Sequence, residues 1–168
     1  MDNFESKKKE VLQPVYFEAG AALYDCQSFE YGVAFLLYLF SRLGTDGLSE
    51  ELTVSIMENE AKKTSGQLIG LLKKHVKVSE SLESELTKGL DARNKLIHRF
   101  LVDNVERIAD PHQHSCLVKD IRSMRSKVRR AGKQLEPFIQ ALAAITDGLD
   151  LETFGKEAKE QFMNNFNT

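Results

Sequence analysis

Between Leu117 and Ile145 the apolar residues recur at alternating steps of four and three. The positions are Leu117, Ile121, Met124, Val128, Ala131, Leu135, Phe138, Leu142 and Ile145, with polar residues filling the gaps. At 3.6 residues per helical turn this spacing lines up one apolar stripe, the seam of a helix packed lengthwise against other helices. Pro137 falls inside the pattern and is expected to kink the helix, because its ring meets the carbonyl four residues earlier. No run of alternating β-branched residues reads as a strand. The predicted fold class is therefore all-α, a helical bundle of four to five main helices.

The remaining segments supply partners for that seam. Ala19, Ala22, Cys26, Phe29, Val33, Leu36, Phe40 and Leu43 define a first long helix, expected from about Val15 to Leu43. Its second half is apolar nearly all round, as in a central or shared helix. Gly44 provides the stop and Thr45-Asp46-Gly47 a turn. A shorter helix is expected from Ser49 to about Lys63. Thr64-Ser65-Gly66-Gln67 has the form of a capping box opening a helix to His75. Ser79 caps the next, which carries Leu82, Leu86, Leu90, Arg93, Leu96 and Ile97. A polar loop is expected after Phe100, and Asp110-Pro111 then starts the closing helix. Leu149 to Phe166 reads as a short amphipathic tail. Residues 1–14 are expected to be a flexible N-terminal segment and residues 15–168 a single helical domain.

A length of 168 residues suits one domain with a substantial core. The formal net charge of -2 argues against a broad nucleic-acid-coating surface and leaves room only for a local basic site. Cys26 and Cys116 are far apart in no metal-like spacing, and Cys26 lies in an apolar stretch expected to be buried. Lys7-Lys8-Lys9 is followed by no apolar run, so a signal peptide is not indicated. The longest apolar run, Val33 to Phe40, is too short to span a bilayer. The expectation is a cytoplasmic protein with no membrane partner.

The segment Arg93-Asn94-Lys95-Leu96-Ile97-His98 carries the most chemistry. A guanidinium grips phosphate through paired hydrogen bonds, and an imidazole moves protons near neutral pH. Together they suffice for metal-free phosphodiester cleavage with the RNA 2′-hydroxyl as nucleophile, Asn94 adding a donor or orienting the histidine. On an ideal helix, residues five apart point about 140° away from each other. One chain forms the site only if the helix ends near Ile97 or the arginine reaches across; two segments meeting in a dimer are the other route. The competing reading is structural, with Arg93 paired to Glu85 or Asp91 and His98 capping the helix carbonyls.

Arg93, Asn94 and His98 resemble the Arg-x4-6-His signature of the HEPN superfamily, whose first variable position is typically polar. The order of elements is also similar: a long first helix, the signature near the end of a later helix, then a long closing helix. The resemblance implies a HEPN-like bundle that dimerises with the two signatures meeting. It implies a metal-independent endoribonuclease of a toxin–antitoxin, defence or RNA-processing system. His98 would transfer protons, Arg93 bind phosphate and Asn94 support them, with RNA, a second copy and a cognate protein or antitoxin as partners. One toxin-type subgroup continues His-x-Tyr, whereas this chain has His98-Arg99-Phe100 and lacks that hydroxyl. Other members have binding roles only, so a non-catalytic regulatory or adaptor bundle is the alternative.

Three further features bear on function. Lys119, Arg122, Arg125, Arg129 and Lys133 fall within one arc of the closing helix, a stripe able to contact phosphates or simply to face solvent. Gln27 and Glu30 are the long polar residues of the apolar stretch Cys26–Phe40. If that face is buried they need partners, and Glu30 would orient Arg93 or His98 from the neighbouring helix; otherwise they form a solvent-facing edge. His112 and His114 sit two apart and do not share a helix face, so no metal ligand set is predicted. No phosphate-binding glycine loop occurs, and no cofactor is expected.

Overall fold

A computed structural model describes residues 2–58, 63–148 and 156. Helix α1 spans Asp2–Arg42, α2 Glu50–Met57, α3 Ser65–His75 and α4 Glu80–His98. Two short helices follow, α5 (Phe100–Asp103) and α6 (Val105–Ala109), then a 3-10 turn at Pro111–Gln113 and the long helix α7 (His114–Asp147). No strand occurs among the described residues, and the fold is all-α. None of the described helices is long and apolar enough to cross a membrane.

The helix starts follow the side chains that satisfy free amides. Ser49 Oγ accepts from the Leu52 amide at 3.1 Å and Ser79 Oγ from the Leu82 amide at 3.3 Å. Thr64 and Gln67 form the reciprocal capping box expected of them, at 2.8 and 3.3 Å. Asp110 accepts from the His112 amide at 3.0 Å, and Pro111 opens the 3-10 turn that leads into α7. Helix α1 ends as Gly44 predicts. Gly44 adopts a φ of 74°, its amide reaches Ser41 O at 2.9 Å, and the Thr45 amide reaches Phe40 O at 3.2 Å.

The chain forms two compact units. The first comprises Met1–Tyr31 and Val78–Lys133. Its core is built from Val15, Ala22, Cys26 and Phe29 of α1, Leu86 and Ala92 of α4, and Leu117, Ile121, Val128 and Ala131 of α7, all buried. Each large aliphatic or aromatic side chain here contributes roughly 1.5–3 kcal/mol. Gly89 marks where α4 comes closest to α7, since a β-carbon at this position would overlap the methyl of Ala131. Helix α1 begins at Asp2, well before the expected start at Val15. Pro14 lies exposed inside it while Leu12 and Val15 on either side are buried. His114 Nδ1 lies 3.2 Å from the carbonyl oxygen of Val11, three residues before that proline. Tertiary burial thus holds a turn that proline weakens.

The second unit comprises Gly32–Lys77 and Gln134–Thr168. Val33, Leu36, Leu37 and Leu39 are buried there, as are Leu72 and Leu135. A buried hydrogen bond of 2.9 Å joins Ser41 Oγ and Thr53 Oγ1.

Three expectations change. The polar loop after Phe100 is helical, with Phe100 itself buried. Helix α2 ends at Met57, short of the expected Lys63. Helix α7 runs through Pro137 to Asp147, but its seam shifts, because Phe138 and Ile145 are exposed while Ala143 is buried. A strict 3.5-residue repeat drifts about 20° per heptad on a straight helix, so the stripe leaves the buried face by its fourth heptad. The expected tail, Leu149 to Phe166, lies outside the described residues apart from position 156, as do residues 59–62.

Candidate active site

The angular problem posed by Arg93 and His98 is solved at the end of α4. His98 is the last residue of the helix, and Arg99 leaves helical geometry at φ -126°, ψ -32°. The long arginine side chain spans the remaining angle. Arg93 Nη1 lies 3.0 Å from His98 Nε2 and 3.1 Å from Asn94 Oδ1. Its other terminal nitrogen, Nη2, pairs with Glu30 Oε1 at 2.5 Å. All four residues expected at the site therefore converge within the first unit. Glu85 instead pairs with Lys88 at 2.7 Å, which removes one of the structural partners anticipated for Arg93.

Donor chemistry orders this cluster. A guanidinium only donates, so His98 Nε2 accepts and carries a lone pair at that atom. His98 and Asn94 are exposed, whereas Arg93 is largely covered, its side chain 15% accessible. The Arg93 Nε–H is buried without an acceptor. A buried unmade donor costs about 1–3 kcal/mol, which marks the guanidinium as held in place by its other contacts. Glu30, half-buried on the neighbouring helix, supplies the strongest of them; Gln27, one turn earlier, faces solvent.

Beneath the cluster, Cys26 is 1% accessible. Burial pushes its thiol up to about 11, the Glu30 and Asp25 charges add to the rise, and Arg93 opposes it. It is a packing residue with no nucleophilic role.

The basic stripe on α7 divides in two. Arg122 Nε is 2.7 Å from Glu18 Oε1, Arg125 Nε is 2.7 Å from Asp25 Oδ2, and Arg125 Nη1 also holds Glu18 Oε2. Burial alone would raise the Glu18 carboxyl, but hydrogen bonds and charge from both arginines outweigh it and hold the group below its ordinary value. These two arginines tie α7 to α1. Arg129 and Lys133 are exposed, with no carboxylate partner among the described residues, and with Arg122 and Arg125 they line a surface cavity of about 540 Å³. Lys119 is exposed and outside that lining.

Two features escaped the sequence reading. Glu18 and Asp25 as partners of the α7 arginines had one visible signal: Glu18 falls on the stripe Val15, Ala22, Cys26, where a carboxylate needs a cation. His114 is buried, its ring nitrogens facing Val11 O at 3.2 Å and Ile108 O at 2.8 Å. Among the described residues no group of three or more His, Cys, Asp or Glu is placed to hold a metal ion. No family model, curated protein or solved structure matches the chain.

Proposed function

We propose that this chain is a HEPN-like, metal-independent endoribonuclease acting as a homodimer in the cytoplasm, within a toxin–antitoxin, defence or RNA-processing system. The observation that supports the reading is the 3.0 Å approach of Arg93 Nη1 to an exposed His98 Nε2, with Glu30 anchoring the opposite edge of the guanidinium. In the proposed reaction an incoming phosphodiester replaces Asn94 and His98 as acceptors for Arg93 Nη1. The freed His98 Nε2 takes the proton of the ribose 2′-hydroxyl, whose oxygen attacks phosphorus. The P–O5′ bond breaks and the departing O5′ takes a proton from solvent, leaving a 2′,3′-cyclic phosphate on one fragment and a 5′-hydroxyl on the other. Arg93 balances the charge that builds on the non-bridging oxygens.

The dimer is proposed at the exposed face of α1. Phe17 and Tyr24 are each 71% accessible there, and Leu23 and Tyr31 are exposed beside them. Such a run of apolar surface is the kind that marks a protein interface. Glu30 falls at the edge of the same arc of the helix, which would bring two Arg93–His98 sites near the contact.

The experiment is cleavage of a fluorescent RNA in excess EDTA by the wild-type chain and by His98→Ala and Arg93→Ala. Loss of roughly 100-fold or more in His98→Ala, with an unchanged circular dichroism spectrum, is expected for a general base. Equal cleavage by wild type and His98→Ala removes His98 from the reaction. One observation favours a second reading, a non-catalytic adaptor: Arg93 is already engaged by Glu30, Asn94 and His98. Absence of cleavage of any RNA by a folded wild-type dimer would select it.

A further inference from the structure

The first unit carries a second concentration of positive charge that the α7 stripe only partly anticipates. A groove of about 590 Å³ lies between α4 and α7, and Lys88, Lys95, Lys127 and Arg130 line it. Arg130 also lines the neighbouring cavity that holds Arg129 and Lys133, so the two depressions share a wall. Lys95, Lys127, Arg129 and Lys133 are exposed and have no carboxylate partner among the described residues. Glu85 and Asp91 also line the groove, Glu85 already paired with Lys88. This row of free cations sits on a chain whose formal net charge is -2, so it is a local feature and not a general basicity.

The row begins beside the candidate site. On α4, Asp91, Lys95 and His98 are spaced by four and three and share one face of the helix. A strand leaving His98 along that face meets Lys95, then the groove, then Arg129 and Lys133 one turn apart on α7.

We propose that this groove and cavity form a track for the phosphodiester backbone of single-stranded RNA, leading away from the Arg93–His98 site; the direction of travel rests on the ribonuclease reading, the binding does not. A single row of cations suits one backbone, whereas a duplex presents two. Neither lining includes an aromatic side chain. Bases therefore find no stacking platform, and recognition is electrostatic and indifferent to sequence. The substrate class is a single strand several nucleotides long, with a dinucleotide too short to reach the track.

The test measures fluorescence anisotropy of a labelled 16-nucleotide 2′-O-methyl oligouridine, which cannot be cleaved, bound to the full chain across a salt series. The charge-reversed pair Arg129→Glu/Lys133→Glu is compared with Lys74→Glu/Lys77→Glu, which changes net charge equally at exposed positions outside both linings. The track variant should bind roughly tenfold or more weakly, with a log–log salt slope shallower by about 1.4, because two phosphate contacts are lost. The control pair should stay close to wild type. Urea midpoints for both variants establish that each is folded.

Equal weakening by both pairs, or no binding by wild type at low salt, overturns the track; so does binding of anionic vesicles without binding of the oligonucleotide. Cleavage of unmodified RNA separates this from the ribonuclease reading. If wild type binds through the track yet cleaves nothing, the catalytic reading fails and the track stands. If wild type cleaves and Arg129→Glu/Lys133→Glu has the same kcat/KM, the track fails and the catalytic reading stands.

Discussion

Replacing Gly89 by alanine sets two effects of opposite sign against each other at the closest approach of α4 to α7. In a helix interior the change should stabilise by about 1 kcal/mol, because glycine gives up more backbone freedom on folding. The structure supplies the opposing effect. A β-carbon at Gly89 overlaps the methyl of Ala131, with Phe29 Cζ at 3.6 Å and the Lys127 carbonyl oxygen at 3.7 Å closing off other directions. None of these is the free end of a flexible chain, so relief requires α4 to move from α7. Overpacking of this kind costs about 1–3 kcal/mol, and the tightness of the overlap places it at the upper end. The net expectation is destabilisation by about 1–2 kcal/mol once the helix propensity gain is subtracted.

The assay is urea unfolding followed by circular dichroism. With a slope of ~2 kcal/mol per molar urea, the midpoint should fall by roughly 0.5–1 M. Gly70→Ala is the matched control: Gly70 lies in α3, exposed, with nothing within 4 Å of an added β-carbon. That variant should gain up to about 1 kcal/mol. A Gly89→Ala protein as stable as wild type, while Gly70→Ala behaves as expected, would refute the close packing of α4 on α7. Because Arg93 sits one turn beyond Gly89, displaced packing should also weaken the Arg93–Glu30 pair and any activity that depends on it.

The remaining expectations concern buried polar groups and thiols. Glu18 has its folded value lowered from 4.5, so its contribution is complete above pH 4.5 and is lost as pH falls through the lower folded value. A Glu18→Gln chain should show a flatter acid limb than wild type in stability against pH, and parallel limbs would remove the Arg122 and Arg125 pairing from the account. His114→Ala removes the imidazole that faces the carbonyls of Val11 and Ile108; a neutral ring donates to one of them, so the change should cost about 1–3 kcal/mol, read from the urea midpoint. A stability within error of wild type would show that those carbonyls find water instead. A thiol reagent at pH 8 should modify Cys116, which is exposed, and spare Cys26, buried and pushed up to about 11, until the chain is unfolded. Rapid reaction of both thiols would mean that α1 opens at this position.

What could be read from sequence was the part governed by local rules. The caps at Thr64, Ser79 and Asp110 and the stop at Gly44 depend on residues three or four apart, and each formed where expected. Misreadings arose where distant contacts override local preference. Pro14 argued for a start at Val15, but Leu12 and Val15 are buried on either side of it and α1 runs through from Asp2. The apolar stripe on α7 was extrapolated past the point where a 3.5 repeat stays in phase with a helix, which misplaced Phe138 and Ile145. The α7 basic stripe was legible as a stripe but not as two populations, because only the fold brings Glu18 and Asp25 against Arg122 and Arg125.

That division of the α7 cations bears directly on how the Arg93 cluster should be tested. Arg122 and Arg125 hold α7 against α1 through Glu18 and Asp25, and Arg93 holds α4 against α1 through Glu30. Removing any of these arginines therefore changes packing as well as charge, since a buried or half-buried carboxylate loses a partner. Loss of RNA cleavage in Arg93→Ala alone would not separate phosphate binding from misplacement of α4. His98 and Asn94 are exposed and hold no element in place except through Arg93, so their variants report on chemistry more directly. The informative comparison is Glu30→Gln with Arg93 intact. Glutamine can keep one hydrogen bond to the guanidinium while removing the charge. If Glu30 serves only to position Arg93, that variant should retain more cleavage than Arg93→Ala and the pH profile of wild type. If the profile shifts instead, the Glu30 charge reaches His98 through the Arg93 guanidinium and takes part in the chemistry beyond positioning.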